Sequence, residues 1–173
     1  FLALEPADAE FTVIPLGDIE VYFCNGPLAD RRGIGRVSRE LLAQFQALSK
    51  EHTRGNSTYE VRKIYFYGSI HWCPDRLPQP SIVLIHDVIP LLFPEEFPPV
   101  VLYEWSARLR KIAKQARHIV TVSRSSASDI SRVLEISPEG VNVIYNGVTP
   151  LQARDAATVS LPARPYLVFL GSY

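Results

Sequence analysis

The chain has 173 residues and no methionine, not even at position 1, and is therefore expected to be a piece of a longer polypeptide. Cysteine is scarce, with two residues in all. Cys24 and Cys73 are far apart, lack metal-ligand spacing and sit in or beside apolar runs, so they read as reduced thiols of an intracellular protein and not as a disulfide framework. Net charge is absent too, because 18 basic side chains balance 18 acidic ones. No overall field exists to gather nucleic acid or an anionic surface, which argues against a dedicated nucleic-acid binder. No apolar run approaches the roughly 18 residues of a membrane span, and the N-terminal FLALEPADAE lacks the basic-then-apolar order of a signal peptide. A soluble, cytoplasmic protein is expected. Gly-x-Ser-x-Gly is missing, which disfavours a hydrolase nucleophile elbow, and no repeat of solenoid period occurs.

What is present is a globular composition, 47% hydrophobic, sufficient for one domain core. Short β-rich runs alternate with longer helical ones, which predicts an α/β fold with a mostly parallel sheet flanked by helices. Strands are expected at 19–24, 61–67, 81–86, 118–122 and 141–145. Helices are expected at 36–49, 101–116 and 125–134, the last capped by Ser123. Seven of the 14 prolines fall between 74 and 99, predicting an irregular surface path around the strand there. Residues 1–150 read as one Rossmann-like domain and 151–165 as a linker. Residues 166–173 read as the opening strand of a second, truncated domain.

Gly33-Ile34-Gly35 lies between the first predicted strand and helix, where open parallel sheets bind anions through free N–H groups. Arg31, Arg32 and Arg36 favour that reading; a loop needing positive φ is the alternative. His86-Asp87 closes the most apolar strand, so both side chains should emerge at the carboxyl edge of the sheet. There the histidine can donate to a sugar hydroxyl or act as a base, and the aspartate can hold an acceptor hydroxyl. A histidine satisfied by carbonyls and an aspartate capping the next turn fit the spacing equally well. Ser123, at another strand-to-helix junction, reads first as a cap. His71-Trp72-Cys73 supplies too few ligands for zinc, and Trp72 and Pro74 read as loop packing. The cations from Arg108 to Arg117 read as complementing a helix dipole, with peripheral contact at the inner face of a membrane as the competing reading.

Five stretches in order, 31–41 (RRGIGRVSREL), 81–95 (SIVLIHDVIPLLFPE), 118–126 (HIVTVSRSS), 141–148 (VNVIYNGV) and 167–172 (LVFLGS), resemble the N-terminal half of family 4 retaining glycosyltransferases and the start of their C-terminal half. The resemblance implies the two-Rossmann-domain GT-B architecture, with the acceptor received by the N-terminal half and a sugar nucleotide, UDP- or GDP-hexose, gripped by the C-terminal one. It places Gly33, Ile34, Gly35 and Arg36 at the donor diphosphate and His86 near the reacting carbon. Asp87 and Ser123 would shape that pocket. No metal or other cofactor is implied, since the leaving phosphate itself takes the acceptor proton. The acceptor would be a glycan or a lipid-linked glycan, in surface polysaccharide synthesis. Only about fifty residues separate Gly35 from His86, fewer than the family pattern, which predicts a missing or shortened strand–helix unit. Without a donor-binding half, these residues alone should be catalytically silent. Two other classes compete. One is a non-catalytic glycosyltransferase-like module for glycan binding or assembly. The other, a dinucleotide-binding enzyme, ranks last because an acid is wanted about 20 residues past the glycines, where Asn56 and Tyr59 stand and Glu51 is the nearest acid.

Overall fold

A computed structural model describes residues 10–52, 61–148 and 164–167. The chain opens with a β-hairpin, β1 (Phe11–Leu16) and β2 (Ile19–Cys24), paired antiparallel from Leu16↔Ile19 to Phe11↔Cys24. A two-residue loop with glycine first joins them, and Gly17 has the positive φ, 61°, that such a hairpin requires. The reading of the sequence had no strand at β1. Pro15 and Gly17 look like breakers, but Pro15 is tolerated because β1 is an edge strand and needs no outward donor.

Four further strands follow in parallel: β3 (Arg62–Tyr67), β4 (Ser81–Leu84), β5 (His118–Thr121) and β6 (Val141–Val143). The sheet order is β1-β2-β3-β4-β5-β6. Helices α1 (Gly33–Glu51), α2 (Ile89–Leu92), α3 (Pro99–Gln115) and α4 (Arg124–Leu134) make up the rest, giving the expected Rossmann-like α/β arrangement. Among the described residues no helix is long and apolar enough to cross a membrane. The expected linker 151–165 and strand 166–173 lie outside the described residues, apart from 164–167, which carry no regular structure.

Side chains alternate along each strand, so the sheet has two separate cores. On one face Val21, Phe23, Phe66, Leu84 and Val120 meet Val37, Leu41, Leu42 and Phe45 of α1. On the other, Tyr67, Val83, Ile85 and Ile119 meet Leu109 and Ile112 of α3 and Ile130 of α4. The crossovers β2–α1–β3 and β4–α3–β5 step to the next strand in the same direction but carry their helices on opposite faces. They therefore have opposite hands, and one of them departs from the right-handed norm. The change of face falls between β3 and β4. Those strands are joined by residues 68–80, a connection that holds one 3₁₀ turn, Ile70–Trp72, and no α-helix.

Two further expectations need correcting. Helix α1 starts at Gly33 and not at Arg36, with extended Arg32 as its N-cap. Gly33 and Gly35 thus lie in its first turn, and neither has positive φ, so the alternative that explained them by backbone conformation is wrong. The proline-rich path is not confined to the surface, because Leu77, Val88 and Pro90 are buried within it.

Candidate functional site at the carboxyl edge of the sheet

Strands β2 to β5 all end at one edge, and the expected site residues follow those ends. The first turn of α1 has no side-chain cap, and its first i→i−4 bond is Arg36 N–H to the Arg32 carbonyl, 3.3 Å. The N–H groups of Gly33 and Ile34 precede that bond and form a site of positive potential. Space beside Gly33 is open, with no heavy atom within 4 Å of where a Cβ would stand. Gly35 differs, being buried with its Cβ position blocked by the Asp30 carbonyl. Packing alone demands glycine there.

The four neighbouring arginines divide into two pairs. Arg32 is held by Asp30, with Nη2 to Oδ2 at 2.6 Å and Nε to Oδ1 at 3.1 Å, while its backbone N–H donates to the same carboxylate at 2.7 Å. These hydrogen bonds hold the Asp30 carboxyl down to about 2. Arg39 Nη1 donates to the carbonyls of Leu28 (2.7 Å) and Asp30 (3.0 Å), pinning α1 to the preceding loop. The side chains of Arg31 and Arg36 are exposed and, among the described residues, make no hydrogen bond or ion pair. They are the cations left for an anion, whereas Arg32 is already occupied.

His86 is half-buried and its Nε2 donates to the Gly68 carbonyl at 3.1 Å. A carbonyl only accepts, so the proton is on Nε2 and, in the neutral ring, Nδ1 is the acceptor. Gly68 in turn backs onto α1, since a Cβ there would lie 2.8 Å from Ser38 Oγ. The structure thus brings α1, the end of β3 and His86 together. Asp87 Oδ1 accepts the Ile89 N–H (3.1 Å) and starts α2. Ser123 Oγ accepts the Ser126 N–H (3.0 Å) and caps α4. Both have the capping roles that the sequence left open beside the ligand-binding ones.

His71, considered in the sequence only as a ligand of a rejected zinc site, is also at this edge. It is half-buried, its ring set against Trp72 and Trp105 at centroid distances of 6.0 and 5.5 Å. Burial lowers its pKa most, Arg108 and Arg32 lower it further, and Asp30 and Asp87 pull the other way. The signal that was available is its position just beyond β3, at the end of the sheet where ligands of such folds bind. Within the basic run on α3, Lys114 stands in the last turn, where it complements the helix dipole, but two other cations have a further role. Arg108 Nη1 donates to the carbonyls of Ile70, His71 and Cys73 at 3.2, 3.2 and 3.3 Å, and Lys111 pairs with Asp75 at 2.7 Å. Those two cations fasten the 68–80 connection.

Cys24 and Cys73 are free and buried, and burial pushes both thiols up. Among the described residues no three His, Cys, Asp or Glu side chains gather as a metal would require. A cavity of about 530 Å³ opens elsewhere, between α4 and β6, and none of the expected site residues lines it.

Residues 62–150 match the Glycosyltransferase Family 4 profile. That is just over half of the chain, and the chain belongs to this family. It is also 29% identical over 66 residues to the O-antigen chain mannosyltransferase RfbU of Salmonella typhimurium, a match covering 38% of this chain and 18% of that protein. The match thus spans under a fifth of the relative's length. No solved structure matches the chain.

Proposed function

We propose that the chain is the acceptor-side half of a retaining GT-B glycosyltransferase that moves a hexose from a UDP- or GDP-sugar to a glycan or lipid-linked acceptor in surface polysaccharide synthesis. The observation that carries this reading is the first turn of α1. It offers uncapped N–H groups, open space at Gly33 and two unpaired guanidiniums, Arg31 and Arg36, at the edge where His86 also stands. A leaving diphosphate needs preorganised positive potential of this kind. The likeness to an O-antigen chain mannosyltransferase supports the polysaccharide part.

No protein nucleophile is assigned. His86, its Nε2 fixed by Gly68, presents Nδ1 as an acceptor for a hydroxyl of the transferred sugar, and Asp87 and Ser123 act by fixing the helices around it. A second domain would grip the nucleotide, so residues 1–173 alone should turn over nothing. The second reading, a non-catalytic glycan-binding or assembly module, draws on the use of both Asp87 and Ser123 as caps.

The test is turnover of a panel of UDP- and GDP-hexoses by the complete gene product and by residues 1–173. Turnover by the complete protein that falls at least about tenfold in His86→Ala, some 1.4 kcal/mol of transition-state stabilisation, supports the transferase. Silence from a folded complete protein supplied with acceptors moves the reading to the binding module.

A further inference from the structure

We infer that the groove between α4 and β6 is a docking site for the carboxyl-terminal segment of a partner protein, which adds as a strand parallel to β6 and sets its terminal carboxylate on Arg124. The inference goes beyond the transferase reading and does not depend on it. β6 stands last in the sheet order, and among the described residues no strand pairs with its outer side. Its backbone is oriented to take one. Ile144 N–H donates to the Thr121 carbonyl at 2.9 Å, so Ile144 turns its N–H toward β5. Successive residues of a strand send their N–H and C=O groups to opposite sides, and those of Val143 therefore point outward. Val143 can pair without disturbing β5. An open edge of this kind is the template that strand addition uses.

The groove beside that edge defines what the added strand carries. It encloses about 530 Å³, and Ala127 of α4, Ile136 just beyond it, and Val141 and Val143 of β6 give it aliphatic walls. Apolar side chains at alternate positions of an extended chain would fill it. Ser131, also on the wall, is 7% exposed, and its Oγ has no partner among the described residues. A carbonyl of the added chain would relieve that cost. Two guanidiniums and no carboxylate line the groove, so an anion is wanted there. Arg132 is paired with Asp129 at 2.9 Å, whereas the Arg124 side chain is exposed and, among the described residues, makes no hydrogen bond or ion pair. Arg124 opens α4 directly after β5, which places it at the carboxyl ends of β5 and β6. A strand parallel to β6 ends at that level. A free carboxylate there meets both the guanidinium and the positive end of α4.

The probe is a hexapeptide of alternating threonine and valine, fluorescein-labelled at its amino end and closing on valine with a free carboxylate, added to the complete gene product. A Kd of about 100 μM is expected for a few main-chain bonds over a small groove. The carboxamide form of the peptide, and Arg124→Gln with the free acid, should each bind at least about tenfold more weakly. Combined, they should lose no more than either alone, because both remove one contact. In Val143→Pro the Tm should hold while binding is lost, since proline is tolerated where an edge strand points its N–H outward. Hydrogen exchange reads the same edge without a substitution. The Val143 amide should exchange freely in the protein alone and become protected when the peptide binds. No binding up to about 1 mM, equal binding of acid and amide, an additive double loss, or an unprotected Val143 in the complex overturns the inference. So does a Val143 amide already protected in the complete protein alone, because another part of that chain would then hold the edge.

Discussion

Two glycines that look alike in sequence do different work. Gly33 faces open space and Gly35 faces the Asp30 carbonyl, so alanine at the two positions should part company in chemical denaturation. Gly35→Ala should lose about 1–3 kcal/mol through overpacking, whereas Gly33→Ala should be neutral or gain about 0.5 kcal/mol from reduced backbone freedom in the unfolded chain. Equal effects would mean that the close approach at Gly35 is not real. Asp30 makes a second residue-level prediction. Arg32 lowers its carboxyl to about 2, so ionised Asp30 stabilises the fold above its ordinary pKa, and that contribution is lost as the pH falls through about 2. In Asp30→Asn the fall of Tm between about pH 4 and 2 should be shallower than in the parent; superimposable profiles would count against the pair. At this scale the sequence showed where glycine, histidine and serine would stand, but not their partners. Nothing near Arg32 in the sequence decides between Asp30 and an incoming anion, and nothing near His71 reveals that α3 holds it.

At the scale of elements, α3 does more than cover the sheet. Gln115→Ala leaves the N–H of buried Leu77 without its acceptor, which should cost about 1–3 kcal/mol and speed amide exchange at Leu77. Lys111→Ala removes only an exposed ion pair and should stay within about 0.5 kcal/mol. Comparable losses from the two would show that the Leu77 bond carries no special weight. The elements themselves were largely legible. Helices α1, α3 and α4 follow from the spacing of Leu41, Phe45, Leu109, Ile112 and Ile130, β2 to β6 follow from short apolar runs, and the Ser123 cap was read correctly. The β1 hairpin was hidden because Pro15 and Gly17 break the pattern locally, while pairing along all six residues of β2 compensates for them. The 68–80 connection was hidden because its order comes from side chains more than thirty positions away.

At the scale of the whole molecule, strands β2 to β5 belong to both cores, so neither face can melt alone. Both tryptophans, Trp72 and Trp105, report on the α3 face, while Phe23, stacked on Phe66 at 5.2 Å, belongs to the α1 face. Phe23→Ala should cost about 3–5 kcal/mol and shift the tryptophan-fluorescence and far-UV CD transitions by the same amount, as one cooperative unit does. Transitions that separate would reveal two units. Sheet order could not be read from the sequence, since it depends on which distant runs pair; the alternation of short β-rich runs with longer helical ones showed only that the strands would be mostly parallel. The change of covered face between β3 and β4 also limits the internal symmetry of the molecule. No rotation converts one hand into the other, so no rigid turn lays the β2–α1–β3 unit onto the β4–α3–β5 unit.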